Sequence, residues 1–271
     1  MASESETMAA SPANIEKIWA ANEELWNKRI IPEVLSPLEI EGGLYTSGAW
    51  QTIVAVAFGR TQKTFEAIQL LVCPERRRRL WDDAFILTRT HYETFVTLEW
   101  IRLEQEVRAQ LLVDEFSLKQ AHFLESLRDK GTEIKPERRD EILRERALIL
   151  KRYSRGPGTM HLLPSLEERV REIATPLKGI HPHLQWEYDF YYRDVSGFAH
   201  PSGWGLVLSL SGEANEVPTV EASTRNGYNA LFCNGGWFFR ILKGWNAVFK
   251  RFPEKVVNDW ENEWAGNAGI A

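Results

Sequence analysis

The chain has 271 residues, of which 44% are apolar and 26% are charged, and its formal net charge at pH 7 is −5. This length allows a substantial core in one large domain or two small ones, and the composition is that of a soluble globular protein. The negative charge argues against a broad basic surface for nucleic acid, and the longest uncharged apolar run, residues 44–59, is too short to cross a membrane.

The N-terminus and the cysteines indicate the cellular compartment. Residues 1–10 are small and acidic, without the basic start and apolar stretch of a signal peptide, so we expect a disordered leader. The two cysteines, Cys73 and Cys233, belong to no cluster with metal-ligand spacing. We therefore predict a cytoplasmic protein in a reducing compartment and expect no membrane, metal or cofactor.

Helical signals begin at Ser11-Pro12, which is typical of a helix start, and the apolar period after it runs to Pro32. After a loop rich in Pro and Gly, we predict a long helix over about 44–72, which Cys73-Pro74 ends. The next helix, over about 76–104, is apolar on more than one side, so we expect it to be central.

The second half continues this pattern. We predict helices over about 107–130, 136–153, 165–173, 185–199, 226–252 and 254–264. Residues 202–224 place glycines between short apolar runs, which predicts a small hairpin or an irregular loop. The predicted fold class is therefore all-α, a single helical-bundle domain of about eight helices over residues 11–271, with a charged arm or insertion around residues 131–164.

The densest group of polar side chains within an apolar segment extends from Tyr191 to Pro201. If residues 185–199 are helical, Arg193, Ser196 and His200 lie at i, i+3 and i+7, on one face of the helix. Pro201 disfavours helical backbone at His200, so the helix should end there.

Arg193 and His200 together suffice, in principle, to cleave RNA without a metal ion. A guanidinium holds a phosphate by two parallel hydrogen bonds, and an imidazole with a near-neutral pKa removes or returns a proton. His200 would act on the 2′-hydroxyl or the leaving oxygen, while Arg193 stabilises charge on the phosphorane. The competing interpretation is structural: Arg193 pairs with a buried carboxylate such as Glu93, and His200 caps the helix by binding a carbonyl.

A second polar group lies in the predicted central helix, where Arg89 and Glu93 are spaced i, i+4 and can pair along one face. Arg89-x-x-x-Glu93, followed about a hundred residues later by Tyr192-Arg193-x-x-Ser196-x-x-x-His200, resembles a large family of uncharacterised bacterial all-helical proteins. The resemblance covers roughly residues 45–205 and implies no assigned function.

The Arg193-x6-His200 spacing is also similar to the HEPN superfamily signature, in which four to six residues separate an Arg from a His. HEPN proteins are helical-bundle ribonucleases, commonly dimeric, and many act in toxin–antitoxin or phage-defence systems. This resemblance implies a metal-independent endoribonuclease with His200 as general acid and base and Arg193 as the phosphate ligand. RNA would be the partner, and in a homodimer two such faces would form one composite cleft.

The remaining residues of the predicted site have supporting roles. Arg89 and Glu93 would orient Arg193 and His200, and Tyr192 and Ser196 would supply hydrogen bonds. Asp194 fills the polar position that directly follows the Arg in the HEPN signature. The alternative function is a non-catalytic helical scaffold or binding module, in which the same residues form a buried network that fixes helix register.

Two other patterns have competing interpretations. His181-Pro182-His183 is either half of a metal site, which His161 or His122 would complete, or a loop pair without a ligand, and we favour the loop pair. Residues 76–79 are four consecutive arginines, which form either a local nucleic-acid contact or a solvated helix surface, and we favour the solvated surface.

Overall fold

The structure is a computed structural model that describes residues 11–34, 48–74, 80–129, 135–176, 181–193, 195–196 and 220–269. These ranges are helical with short connections and contain no strand, so the all-α prediction is confirmed. None of the helices in them is both long and apolar enough to cross a membrane. The predicted leader, the four consecutive arginines and residues 202–219 of the predicted hairpin or loop lie outside the described residues.

The first helix, α1 (Pro12–Leu25), starts as predicted. Ser11 Oγ accepts a hydrogen bond from the backbone N–H of Asn14, and proline holds the first helical position. The prediction that the helix stops at Pro32 is wrong, because the chain continues as a π-helix, π1 (Trp26–Val34), with Pro32 inside it. The wider π turn leaves room for a ring that would clash with the preceding turn of an α-helix.

The next two helices form the middle of the core. Helix α2 (Ala49–Val72) ends at Cys73-Pro74 as predicted, and Cys73 has the extended ψ of 127° that a residue before proline favours. Helix α3 (Trp81–Arg102) packs against α2. Its buried residues occur around its whole circumference, as expected for a central helix: Trp81, Ala84, Phe85, Thr88, His91, Tyr92, Phe95, Val96, Leu98, Glu99, Trp100 and Ile101.

A charged helical pair comes after the central helix. Helix α4 (Gln105–Asp129) begins after a short turn and packs against α5 (Pro136–Arg152). The main hydrophobic core reaches α4 at Ala109, whereas Ile142 and Ile149 of α5 are buried outside that core. The charged arm around residues 131–164 stays a prediction.

The segment that carries the predicted site is less regular than the sequence suggests. Helix α6 (Leu166–Ala174) precedes it and starts with a capping box at Ser165. Instead of one regular helix over 185–199, a single α turn, α7 (Leu184–Trp186), leads into a second π-helix, π2 (Glu187–Tyr192). A π turn holds one more residue than an α turn, so it rotates the residues after it relative to those before it. We call residues 184–193 the site helix.

The C-terminal helices close the fold. Helix α8 (Val220–Phe249) begins earlier than predicted, so residues 220–224 are helical and not part of a hairpin or loop. Residues 219–226 include the good helix formers Glu and Ala and contain no Gly or Pro that would interrupt a helix. Helix α9 (Glu254–Ala268) ends at Gly269, whose φ of 74° lies in the left-handed region that glycine tolerates best.

A fully buried amide, that of Asn22 on α1, joins four helices. Its Nδ2 donates to Gln69 Oε1 of α2 at 3.0 Å and to the backbone oxygen of Leu231 of α8 at 3.1 Å. Its Oδ1 accepts from Trp264 Nε1 of α9 at 2.7 Å. Gln69 also donates to the carbonyl of Trp19 at 3.2 Å. Because each of these buried groups has a partner, the network both stabilises the core and fixes which side chains meet.

Gly235 allows α8 and α9 to approach this amide closely. A Cβ at this position would overlap with the indole of Trp264 and lie 2.8 Å from Asn22 Oδ1. A Cβ at Gly236 would meet no atom within 4 Å. The close contact therefore requires glycine only at Gly235.

We expect Asn22→Ala to lower the free energy of unfolding by about 2–4 kcal/mol, because it leaves three buried polar groups without their partner. Chemical denaturation followed by circular dichroism measures this loss. Asn27→Ala is the matched control, since Asn27 is exposed and bonds only at 3.3 Å to Glu23, and it should change the stability by less than about 0.5 kcal/mol. Equal effects of the two substitutions would contradict a central role for the buried amide.

Candidate functional site

The first half of the candidate site is a polar stripe along α3. Arg89, Glu93 and Thr97 lie at i, i+4 and i+8, and Arg89 Nε donates to Glu93 Oε1 at 2.7 Å. Burial lowers the pKa of the Arg89 guanidinium, but the hydrogen bond and charge of Glu93 outweigh it, so the pKa is raised. Thr97 Oγ1 donates to the backbone oxygen of Glu93 at 2.6 Å. The pairing that the sequence predicts along this face is present.

Tyr192 connects this stripe to the site helix. Its hydroxyl donates to Glu93 Oε1 at 2.8 Å, and the Arg89 guanidinium lies over its ring, 5.2 Å from the centroid. The ring stacks on Tyr188 with centroids 5.4 Å apart, and it is tilted against Tyr92 of α3 at 5.3 Å. Burial and the neighbouring Glu93 both raise the pKa of the Tyr192 phenol, so this group keeps its proton near neutral pH and donates a hydrogen bond to the carboxylate.

Ser196 belongs to the inner side of the segment. Its hydroxyl is buried, and it lowers the pKa of the adjacent Tyr192 phenol, although burial and Glu93 keep that pKa raised overall. Among the described residues Ser196 Oγ has no hydrogen-bond partner, so its supporting hydrogen bond stays a prediction. Its buried position differs from the exposed face that the sequence assigns to it together with Arg193.

Arg193 points outward. Its side chain is 58% exposed, and its guanidinium lies 3.8 Å from Glu167 Oε2 on α6 and 5.4 Å from the centroid of Tyr188. The suggested pairing with Glu93 is absent, since that carboxylate is held by Arg89 and Tyr192. At 3.8 Å, with more than half of the arginine in solvent, the pairing with Glu167 leaves the guanidinium accessible to another anion.

His200 and Asp194, which the sequence places in the same site, lie outside the described residues. Their proposed roles therefore stay predictions. The structure brings together Arg89, Glu93, Tyr192 and Ser196, and it places Arg193 on the outer side of the same segment.

Sequence reasoning missed one cationic residue, Arg169 of α6. Its Nη1 donates to Thr97 Oγ1 at 2.6 Å, which ties α6 to the polar stripe. Burial lowers the pKa of its guanidinium, against the raising influence of Glu115, Glu93 and the Tyr192 phenol. A signal was available, because Arg169 lies between Leu166 and Ile173 at helical spacing, on the apolar side of a short helix.

The site helix is anchored on its inner side to α8 as well as to α3. Arg240 of α8 binds both carboxylate oxygens of Glu187, at 2.8 and 2.9 Å, and its guanidinium lies 4.3 Å from the centroid of Trp237. The Tyr191 hydroxyl bonds to Thr88 of α3. Bidentate pairing restricts orientation more than a single contact does, so the direction of the site helix is well defined.

Within the part of the chain that the structure describes, His122, His161, His181 and His183 belong to no metal site. The described residues contain no group of three or more His, Cys, Asp or Glu side chains arranged to hold a metal ion. His181 instead packs edge-on against Phe95, with ring centroids 5.0 Å apart. Burial, together with the charges of Arg240, Arg102 and Lys243, lowers the pKa of His181 to about 4.

His91 lies between Arg89 and Glu93 in sequence but faces the core. It is fully buried, and its Nε2 donates to the backbone oxygen of Thr61 at 3.2 Å. Its Nδ1 has no hydrogen-bond partner among the described residues. Burial lowers the pKa of His91 to about 4, so the imidazole is neutral at pH 7.

A family model described as "Family of unknown function (DUF5677)" matches residues 51–217. The matched span includes Arg89, Glu93 and the site helix, and it agrees with the resemblance to an uncharacterised family. No curated protein and no solved structure matches the chain. The resemblance to HEPN proteins stays a prediction.

We expect Glu93→Gln and Tyr192→Phe to be energetically coupled, because they remove opposite ends of one hydrogen bond. A double-mutant cycle should give a coupling energy of about 1 kcal/mol. In the control cycle, Glu167→Gln with Tyr192→Phe should be additive, since Glu167 pairs with Arg171 and Arg193. Urea denaturation of the single and double variants provides the measurement, and additivity in the first cycle would refute the link between α3 and the site helix.

The two buried histidines predict a loss of stability in acid. Below pH 6.5 the unfolded chain binds protons at His91 and His181, whereas the folded chain resists until about pH 4. The folded state therefore loses stability as pH falls through this window, by on the order of 3 kcal/mol for fully buried His91. His91→Gln should flatten the dependence of the unfolding free energy on pH, and His122→Gln, at an exposed site on α4, should leave it unchanged. If the unfolding free energy of His91→Gln depends on pH as steeply as that of wild type, His91 is not the cause of the loss of stability in acid.

Proposed function

The chain belongs to DUF5677, a family of unknown function, and we propose that it is a HEPN-like endoribonuclease that cleaves RNA without a metal ion. The observation that carries the proposal is the outward position of Arg193, 58% exposed on a helix whose inner side is held by other groups. An accessible guanidinium on an anchored element is suited to bind a phosphate in a fixed orientation.

In this proposal the reaction is an internal transfer at phosphorus. His200 accepts the proton of the 2′-hydroxyl, and the 2′-oxygen forms a bond to phosphorus as the bond from phosphorus to the 5′-oxygen breaks. Arg193 binds the non-bridging oxygens and stabilises the charge that develops there. His200, now protonated, then gives this proton to the leaving 5′-oxygen. The products are a 2′,3′-cyclic phosphate and a 5′-hydroxyl.

The neighbouring residues support the two reacting groups. Arg89 and Glu93 hold Tyr192, and Ser196 lies beside the same phenol, so the four side chains fix the position from which Arg193 projects. Asp194 is assigned the polar position directly after the arginine. RNA as substrate, the defence or toxin–antitoxin setting, the cytoplasmic location and a homodimeric cleft belong to the same proposal.

A second candidate function has an observation in its favour. Arg89, Glu93 and Tyr192 satisfy one another within one chain, as expected of a network that sets helix register. Under this alternative the protein is a non-catalytic helical scaffold or binding module, and Arg193 and His200 contribute nothing to RNA cleavage.

Cleavage of a fluorescently labelled RNA by the purified protein in the presence of EDTA tests the nuclease. We expect Arg193→Ala and His200→Ala each to reduce the rate about 100-fold or more, because each removes a group that acts in the transition state. Arg171→Ala is the matched control, since Arg171 is 66% exposed on α6 and pairs with the same Glu167, and it should keep the wild-type rate.

Thermal denaturation of each variant separates loss of chemistry from loss of folding. If wild type and both site variants cleave RNA at the same rate, the activity comes from a contaminant and the nuclease proposal fails. Absence of cleavage by wild type, across single-stranded and structured RNA, would favour the scaffold.

A further inference from the structure

The outer side of the site helix exposes an aromatic pair. Trp186 and Phe190 are four residues apart and 58% and 63% exposed, and their rings contact each other. Arg193, whose side chain is 58% exposed, follows Phe190 by three residues on the same helix. The inner side carries Leu184 and Tyr188, which are buried. Two large aromatic rings on one exposed stripe are a feature that interior packing does not account for.

The two rings are already arranged for stacking. Their centroids lie 5.5 Å apart with an interplanar angle of 29°. The helix beneath them is fixed by the bidentate pair of Arg240 and Glu187, so the rings are presented on a rigid support. A preformed aromatic surface loses little conformational freedom when a flat ligand stacks on it.

We propose that Trp186 and Phe190 form a stacking platform for unpaired bases of an RNA strand whose phosphate binds Arg193. This inference rests on the proposed function and names the form of RNA that it acts on, a single-stranded segment with accessible bases. Aromatic side chains next to a cationic residue are the combination that binds single strands with little sequence preference.

The charges along the site helix favour a nucleic acid over an apolar protein partner. Arg193 supplies an exposed cation at the C-terminal end of the site helix, three residues after Phe190. Asp189, which directly precedes Phe190, has its carboxylate bonded by Gln185 Nε2 at 3.1 Å and would repel a phosphate. The phosphate therefore belongs at the Arg193 end of the site helix, and the bases belong at the Trp186 end.

Fluorescence anisotropy with an uncleavable 2′-O-methyl RNA, single-stranded and roughly 12 nucleotides long, measures binding apart from chemistry. We expect Trp186→Ala and Phe190→Ala each to weaken binding about tenfold, and the double variant to weaken it about 100-fold. The matched control is Phe116→Ala with Phe123→Ala, at rings that are 66% and 60% exposed on α4, and it should bind like wild type. Trp186→Phe should retain most of the affinity, because it keeps a flat ring.

Two further measurements separate bases from backbone. An oligonucleotide with abasic sites should bind wild type about as weakly as the double variant binds intact RNA. Asp189→Asn should tighten binding about two- to threefold at low salt, because it removes a negative charge from the path of the phosphates.

Equal binding by wild type and the Trp186, Phe190 double variant overturns the platform. The platform is also overturned if the double variant changes its mass in solution, and therefore its oligomeric state, while its affinity for RNA stays the same. The two rings would then form a contact between protein chains. RNA cleavage with no effect of the double variant on binding or rate refutes the platform alone. If RNA binding requires Trp186 and Phe190 but the wild-type protein does not cleave RNA, the nuclease proposal is refuted and the platform is supported.

Discussion

The fold depends on one buried amide. Asn22 lies on the first helix, yet its three hydrogen bonds reach the second helix, the long C-terminal helix and the last helix. An amide in the core is stable only when its donors and acceptor are all used, so these helices can meet in few other ways. Gly235 completes the arrangement by admitting the Trp264 indole where any side chain would stand. The two ends of the chain are thereby joined to its middle.

The same principle orders the candidate site, with charged groups in place of amides. Glu93 receives Arg89 from its own helix and Tyr192 from the site helix, while Glu187 receives Arg240 from α8. Both carboxylates are used to orient structure, which leaves Arg193 as the outward-facing cation of the site helix. Side chains that hold the element are thus distinct from those that remain accessible to a ligand.

Local sequence signals predicted the parts of this arrangement that local chemistry determines. The start at Ser11-Pro12, the stop at Cys73-Pro74 and the pairing of Arg89 with Glu93 depend on residues only a few positions apart. Contacts between helices were not accessible in that way. Arg169 meets Thr97 from another helix, and Arg193 meets Glu167 where the sequence suggested Glu93. The π geometry of the site helix also depends on tertiary packing, because isolated π turns are intrinsically unfavourable.

That π turn bears on how related chains are to be aligned. A helix with a π turn contains one surplus residue relative to an α-helix of the same length. A homologue that lacks one residue between Leu184 and Arg193 would restore α geometry and could still present its arginine from the same place. In such a homologue the residues equivalent to Glu93 and Arg193 would be one position closer in sequence. One gap within Glu187–Tyr192 would then keep both Trp186 and Arg193 opposite their counterparts in that homologue.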